Sequence, residues 1–181
     1  GTKEAADRFA AMLESADDGQ KLRLMRGLAR SGTAAHYDAL LNSARQGPKM
    51  VTDRALSAIR EIALRYDDRD AVKFFLPFLD NQHTSVRFQA VSAVGELGGE
   101  ESFERLKTIY AEDTDDIDAV ILNTYVLEAM AKCGGIAALG KLSQEADSHN
   151  RNISRAANAP MGYTRDKLAL KNLAQSAQSE H

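Results

Sequence analysis

The fold is decided by the stretch SVRFQAVSAVGELGGEESFERL, which occupies residues 85–106. Apolar residues between Val86 and Leu97 recur with the period of about 3.6 residues that marks one helix face. Gly98 suits the left-handed conformation that commonly ends a helix, because it has no Cβ to clash. Glu100 then stands where the N-terminal dipole of a second helix favours a carboxylate. The stretch therefore predicts two short helices joined by a glycine corner.

The first helix of this pair contains a pattern that recurs along the chain. Two apolar residues, any residue, a small residue and an apolar residue follow one another from positions 24, 55, 90 and 126, so successive copies begin 31, 35 and 36 residues apart. Such periods are typical of tandem helical arrays, in which each helix pair buries its apolar face against the next pair. The small residues are predicted to let neighbouring helices approach closely. They are Gly27, Ala58, Ala93 and Ala129.

We therefore predict an all-α fold, a right-handed α-solenoid of stacked antiparallel helix pairs that spans residues 1–181 as a single domain. The polar stretch DSHNRNISRAANAP, residues 147–160, is expected to be a loop. The first segment matches a second helix without its first, so the chain either starts on a natural cap or is part of a longer solenoid. The repeats are expected at about residues 20–45, 51–80, 84–112 and 119–146, with an N-terminal half-repeat at 3–16 and a C-terminal cap helix at 163–178.

The repeat resembles a known family. Residues 85–113, SVRFQAVSAVGELGGEESFERLKTIYAED, are similar to the short HEAT-like repeat that is also found in phycobilisome lyases. The resemblance covers about residues 3–146 and implies a HEAT-like or armadillo-type superhelix whose curved surface binds a partner. The motif of that repeat is approximately V-R-x-x-A-x-x-A-L-G-x-L-G. It is matched by Val86, Arg87, Ala90, Ala93, Val94, Gly95, Leu97 and Gly98.

Two other helical repeats of similar length fit the sequence less well. Tetratricopeptide repeats carry a Trp-Leu-Gly-Tyr pattern, whereas this chain contains no Trp. Ankyrin repeats carry a Thr-Pro-Leu-His pattern, which does not occur here. The HEAT-like interpretation is therefore preferred.

The composition argues against several classes of partner. The net charge is -3 and the sequence pI is ≈ 5.8, so no overall basic field would attract nucleic acid. No apolar run approaches the roughly 20 residues of a membrane span, and no signal peptide is recognisable. We therefore expect neither a membrane nor a nucleic acid as partner. The cytoplasm is favoured, although the start at Gly1 leaves the compartment open, and the oligomeric state is equally open.

The residue types that carry catalysis do not form a recognisable set in this sequence. No histidine has a second histidine or a cysteine at metal-ligand spacing, and the acidic run at residues 112–118 lacks the glycine and glutamate of a calcium loop. The single cysteine, Cys133, is equivalent to Leu97 in its repeat and is predicted to be a buried core residue. We therefore expect no cofactor and no metal site, and the sequence favours a protein without enzymatic activity.

Candidate binding residues lie on the second helices of the repeats. The position two residues after the first apolar anchor is predicted to point away from the core, and it holds Ala39, Phe74, Arg105 and Lys141. An exposed aromatic residue and cations are typical of a protein-binding hot spot. We therefore select Phe74, Arg105 and Lys141 as candidate binding residues. In the alternative interpretation, Phe74 packs against the inserted segment LRYDDRDA or against the kink at Pro77.

These observations favour a non-enzymatic scaffold that binds a protein or peptide on the curved surface of the solenoid. The resemblance leaves an alternative open, in which the chain is a subunit of a bilin lyase-type or another HEAT-like enzyme. DNA alkylation glycosylases share the general architecture, but they need a basic groove and aromatic contacts to DNA. The acidic pI and the absence of Trp disfavour that activity.

Overall fold

The computed structural model describes residues 2–112, 114 and 116–162, and every regular element among these residues is helical. The prediction of an all-α fold is therefore confirmed. The chain divides into two compact units, Gly1–Ala93 and Val94–His181, with the boundary inside one helix. The single domain expected from the sequence stays a prediction.

Unit 1 is built from α-helices joined by short connections. Helix α4 packs against both α2 and α3, so its apolar face is covered from two sides, and α1 packs on α2. The N-terminal half-repeat expected at residues 3–16 corresponds to α1. The helices are α1 (Lys3–Met12), α2 (Asp18–Ser31), α3 (Tyr37–Gln46), α4 (Lys49–Tyr66) and most of α5 (Thr84–Leu97), with 3-10 helices at Ala34–His36, Arg69–Phe74 and Leu76–Phe78.

Unit 2 continues the pattern of helix pairs. Helix α7 packs against both α6 and α8, and these elements correspond to the repeats expected at about residues 84–112 and 119–146, with α7 starting two residues earlier. The cap helix expected at 163–178 lies outside the described residues. The helices are α6 (Glu100–Ile109), α7 (Ile117–Cys133) and α8 (Gly135–Ala146), followed by a helical stretch at residues 151–162, here called α9.

Side-chain caps set where two of these helices begin. The Asp17 carboxylate accepts a hydrogen bond from the Gln20 backbone N–H at 2.8 Å, and the Gln20 side chain accepts one from the Asp17 N–H at 3.1 Å. This reciprocal pair satisfies N–H groups that have no partner inside the helix, and it starts α2. The Asp116 carboxylate starts α7 in a simpler way, by accepting a hydrogen bond from the Ala119 N–H at 2.8 Å.

The second half of the second repeat differs from the predicted α-helix. Helix α4 ends at Tyr66, and the following residue, Asp67, has a φ of 50° in the left-handed region. Two consecutive 3-10 helices follow, and Pro77 lies in the second of them. Because proline has no N–H and restricts the residue before it, a continuous α-helix cannot pass this point. Phe75 and Leu79 are nevertheless fully buried, so the short helices fill the place of the expected one.

The polar loop expected at residues 147–160 is a wrong prediction, because most of that stretch is helical. The Asn150 side-chain oxygen accepts hydrogen bonds from the N–H groups of Asn152 at 3.0 Å and Ile153 at 3.5 Å, which caps the start of α9. Ile153 and Ala157 are buried and lie four residues apart, on one face of a helix. The apolar signal was therefore present, but it consisted of two residues only.

Glycine has a different role at the corner of the third repeat from the one predicted. Gly98 is not left-handed, and the glycine with positive φ among the described residues is Gly135, at 53°. A Cβ on Gly98 would instead collide with the Ser102 hydroxyl and the Val94 carbonyl oxygen. Gly98 is thus required because the chain passes close to itself, and the left-handed prediction was wrong.

The predicted close approach of first helices is observed in unit 2. A Cβ on Gly95 of α5 would lie 2.5 Å from the Cα and 2.7 Å from the Cβ of Ala129 on α7. Such distances are below van der Waals contact, so the backbones could not come this near with any larger residue at position 95. Ala129, which the sequence pattern selected as a small contact residue, is therefore confirmed in that role.

In two of the four repeats, a buried polar residue connects the first helix to the end of the preceding helix. Thr52 and Asn123 lie three residues before the second and fourth copies of the repeat pattern. The Thr52 hydroxyl donates to the Ala44 carbonyl oxygen at 2.9 Å. The Asn123 amide donates to the Ala111 carbonyl oxygen at 2.7 Å and accepts from the Ala111 N–H at 3.0 Å. In these two repeats, the same position thus satisfies backbone groups that the end of the preceding helix leaves without partners.

The first prediction concerns the contact of Gly95 with Ala129. We expect Gly95→Ala to lower the free energy of unfolding by about 1–3 kcal/mol, because two helices must move apart. Gly140→Ala is the matched control, since nothing lies within 4 Å of a Cβ built at that helical position. It should raise the same free energy by about 0.5–1 kcal/mol. Equal stability of the two variants in urea unfolding would contradict the close contact.

The second prediction concerns Asn123, whose side chain is 2% exposed. Asn123→Ala should cost about 2–3 kcal/mol, because it leaves the buried N–H and carbonyl of Ala111 without partners. Asn42→Ala, on the exposed face of α3, should change the stability by less than about 0.5 kcal/mol. Chemical denaturation monitored by circular dichroism measures both values, and an Asn123→Ala protein as stable as the control would refute the role of this amide.

Candidate functional site

The candidate residue Phe74 lies in unit 1, half-buried at the end of a 3-10 helix. Its ring packs on Tyr37 of α3 with a centroid distance of 5.3 Å and an interplanar angle of 59°. The Lys73 ammonium lies 5.2 Å from the Phe74 ring centroid. Burial, followed by the negative charge of Asp68, raises the pKa of Tyr37 above its usual value. Tyr37 is therefore a neutral platform, and Phe74 presents only part of its ring to solvent.

The candidate residue Arg105 lies on α6 in unit 2 and is half-buried. Its guanidinium donates to the Thr108 hydroxyl on the same helix, and that hydroxyl donates to the Arg105 carbonyl oxygen at 2.8 Å. These bonds hold the arginine along its own helix, so the predicted outward direction is only partly realised.

The candidate residue Lys141 is held inside a charged cluster of unit 2, with 11% of its side chain exposed. Its ammonium lies 2.9 Å from a Glu112 oxygen, 2.8 Å from a Glu145 oxygen and 4.4 Å from the centroid of the Tyr110 ring. Burial lowers the pKa of Lys141, but the hydrogen bonds to Glu145 and Glu112 outweigh burial and leave that pKa raised. Lys141 therefore positions Glu112 and Tyr110 more than it presents a charge to solvent.

A polar cavity of ≈ 430 Å³ opens beside this cluster in unit 2. The chain after α6, the first half of α7 and the end of α8 form its walls. Two of its polar groups already have protein partners, because Asn123 binds the backbone of Ala111 and Glu145 binds Lys141. The hydrogen bond from Lys141 lowers the pKa of Glu112, so this exposed carboxyl stays ionised to a lower pH than usual. The cavity thus has the chemistry to admit a polar or cationic group.

An apolar surface that was not predicted lies on α7. Ile117, Ile121 and Tyr125 are 75%, 40% and 39% exposed, and they follow one another at intervals of four residues on one helix face. The opposite face of α7 is buried, including Val126 and Met130. The sequence held the signal, since IDAVILNTYVLEAM is apolar on two faces, whereas a helix with one buried face needs only one.

A groove runs beside this row, between α7 and α9. One part has a volume of ≈ 390 Å³ and the next part has ≈ 500 Å³; both are lined by Thr124, Ala156 and Ala159, so they adjoin. The wall formed by α9 is shallow, because the alanines that line it have small side chains. Glu128 lines one part of the groove and Arg155 lines the other, so the groove has an acidic and a basic group.

Two other side chains of types that can act in catalysis or metal binding, His36 and Cys133, are instead part of the packed interior. His36 is buried in unit 1, where its Nδ1 accepts a hydrogen bond from the Thr33 N–H at 3.0 Å. Its Nε2 therefore carries the proton and donates to the Asp7 carboxylate at 3.0 Å. Cys133 is buried near the end of α7, as the sequence predicted. Neither group has the exposure that a nucleophile or a metal ligand needs.

Residues 2–112, 114 and 116–162 contain no group of three or more histidine, cysteine, aspartate or glutamate side chains that could hold a metal ion. Over the same part of the chain, no helix has both the length and the apolar character to cross a membrane.

Comparison with known proteins identifies the repeats. The family model for HEAT repeats matches residues 37–123. No curated protein matches the sequence significantly. Among solved structures, the complex of CpcE and CpcF of phycocyanin lyase from Nostoc sp. PCC7120 is similar over 88% of this chain, with a TM-score of 0.66 and 18% identity. This chain spans 64% of the length of the matched chain in that complex.

Two engineered proteins are also similar in fold. One matches 89% of this chain and 79% of its own, with a TM-score of 0.60 and 15% identity. The other matches 88% of this chain and 47% of its own, with a TM-score of 0.55 and 16% identity. At these identities the likeness shows the helical-repeat fold alone. The family match shows HEAT repeats over residues 37–123.

Proposed function

We propose that the chain is a non-enzymatic protein-binding module, and that the groove between α7 and α9 accepts an amphipathic helix of a partner protein. The row of Ile117, Ile121 and Tyr125 carries this proposal. These apolar side chains are exposed on a helix whose other face is buried. Exposing apolar surface to water is unfavourable, and association that buries this surface recovers the free energy. Such an exposed row is therefore typical of an interface.

The dimensions of the groove suit a helix. The row from Ile117 to Tyr125 extends about 12 Å along α7, which corresponds to about two turns of a bound helix. A partner helix would place apolar residues at intervals of three and four residues against this row. Ala156 and Ala159 leave room for the partner on the side of α9. Arg155 and Glu128 would then favour one direction of the bound helix, because helix ends carry opposite partial charges.

The likeness to a lyase complex supports a protein as partner. The similar structure from Nostoc sp. PCC7120 contains CpcE and CpcF together, so a chain of similar fold assembles there with a second protein. We propose the same class of interaction for this chain.

The second-helix residues Phe74, Arg105 and Lys141 remain candidate binding residues, but they differ in how directly they would contact a partner. Phe74 offers a partly exposed ring next to Lys73 in unit 1, and Arg105 offers a guanidinium on α6. Lys141 would act indirectly, because it positions the exposed Glu112 carboxylate beside the polar cavity. Truncation of Lys141 should therefore affect a partner that contacts Glu112 and should leave helix binding in the groove intact.

A second candidate function follows from the same likeness. In it the chain is a subunit of a bilin lyase-type enzyme, favoured by the similarity to a phycocyanin lyase complex over 88% of this chain. Mixing the protein with a bilin and recording the visible absorption spectrum tests this function. A shifted bilin band that saturates with protein would favour the lyase-type subunit over a plain scaffold.

The third prediction tests the groove with peptides selected from a phage-displayed library on the wild-type protein. Selected peptides should carry apolar residues at helical intervals and should bind Ile121→Asp at least about tenfold more weakly, because a carboxylate would be buried without a partner. The matched control is Ile136→Asp on α8, since Ile136 is 75% exposed and lies in the same unit. The control should bind within about twofold of the wild type.

Three results would contradict the groove. The two variants could weaken the peptides equally, the selected sequences could lack a helical apolar pattern, or Phe74→Ala could abolish binding while Ile121→Asp keeps it. Fluorescence anisotropy provides the affinities, and circular dichroism checks that each variant is folded.

A further inference from the structure

Unit 1 carries a surface of arginines that the proposed groove does not use. Arg23, Arg26 and Arg30 lie on α2 at intervals of three and four residues, and all three are exposed. Residues at such intervals share one face of a helix, and this face spans about 10 Å along the axis. It lies opposite the buried residues Met25 and Leu28.

A fourth arginine, Arg54, extends this face from α4. Its position follows from that of Arg65 on the same helix. Arg65 of α4 donates to the carbonyl oxygens of Ala29 and Gly32, so its edge of α4 faces the end of α2. Arg54 precedes Arg65 by 11 residues, which is about three turns, and it therefore lies on the same edge. Since α3 returns between them, α2 and α4 run in the same direction. Arg54, which is half-buried, thus lies along the first half of α2.

Arg23, Arg26, Arg30 and Arg54 have no ion pair or hydrogen bond with any described residue, whereas several other cations of unit 1 do. Lys49 pairs with Asp53 at 3.3 Å, Arg69 pairs with Asp67 at 2.8 Å, and Arg65 holds the carbonyl end of α2. Like charges three and four residues apart destabilise a helix. The dipole at the end of α2 offsets this only for Arg30, which is in the last turn. Arg23 and Arg26 thus share an exposed face of α2 on which the described residues give them no partner.

We propose that this arginine face, Arg23, Arg26, Arg30 and Arg54, binds an acidic segment of a partner protein. Guanidinium groups form paired hydrogen bonds with carboxylates, and a helix with glutamates at intervals of three and four residues would match the spacing of the face. The interaction is distinct from the groove, because it lies in the other unit and needs charge instead of apolar contact.

A protein segment fits the charge of the face better than a nucleic acid does. Proteins that bind duplexes strongly neutralise about 6–10 phosphates, and four arginines on a chain of net charge -3 fall short of that number. A short acidic helix needs only about four carboxylates to match the face completely.

The fourth prediction uses a fluorescein-labelled, alanine-based peptide of about 18 residues with glutamates at these intervals, and a second peptide with glutamine in their place. The acidic peptide should bind the full chain at about 10 mM salt and more weakly at about 100 mM, and the glutamine peptide should not bind. Arg23→Gln/Arg26→Gln should weaken binding about tenfold. The control Arg45→Gln/Arg151→Gln removes the same charge from exposed positions elsewhere and should change it less than about twofold.

Four outcomes would overturn the proposal. The acidic peptide could fail to bind, or both double variants could weaken it equally, which would indicate a general charge effect. A single-stranded oligonucleotide could bind more tightly than the peptide and depend on Arg23 and Arg26, which would make the face a nucleic-acid site. Sedimentation could show that the chain self-associates through the face, which would make the occupant a second copy. Each outcome leaves the groove untouched, because the groove variants carry their own test.

Discussion

The packing of unit 2 depends on how closely α5 and α7 approach, and Gly95 against Ala129 sets that distance. A helix pair of this kind cannot bury its own apolar face, so it must press that face against the next pair. Where the two backbones meet, a single extra methyl group would separate the helices along their length. The same logic applies in unit 1, where the Phe9 ring occupies the space beside Gly27. Small residues where helices meet therefore determine which apolar residues are buried, and by exclusion which faces are left for partners.

Polar contacts satisfy buried groups and fix the register between repeats, which close packing alone does not do. Thr52 and Asn123, at equivalent repeat positions, satisfy backbone groups at the end of the preceding helix. Contacts between groups about one repeat apart in sequence recur in both units, as in His36 with Asp7 and Lys141 with Glu112. These hydrogen bonds are directional, unlike apolar contacts, and a buried donor without its acceptor is costly in free energy. They fix the register between repeats, and they occupy charged side chains that a sequence pattern alone would assign to solvent.

The sequence was sufficient for the repeat period, the all-α fold and the buried position of Cys133, because these follow from residue spacing. It was insufficient where one residue outweighed the pattern. Pro77 prevented an α-helix in the second repeat, and Asn150 capped a helix in a stretch that looked like a loop. The outward direction predicted for Lys141 failed for another reason. Two carboxylates, one on its own helix and one from the chain after α6, draw its ammonium inward, and a single-repeat pattern does not contain both.

Helix α7 has one buried face and one open apolar face, and the proposed groove depends on both. Hydroxyl-radical footprinting of the protein without a partner tests this most directly, because the chain supplies matched residues. Tyr125 is 39% exposed whereas Tyr37 is buried, and Met50 is exposed whereas Met130 is buried. We expect Tyr125 to react several-fold faster than Tyr37, and Met130 to stay protected relative to Met50. If Tyr125 reacted as slowly as Tyr37, the face would already be covered and the groove could not receive a partner helix.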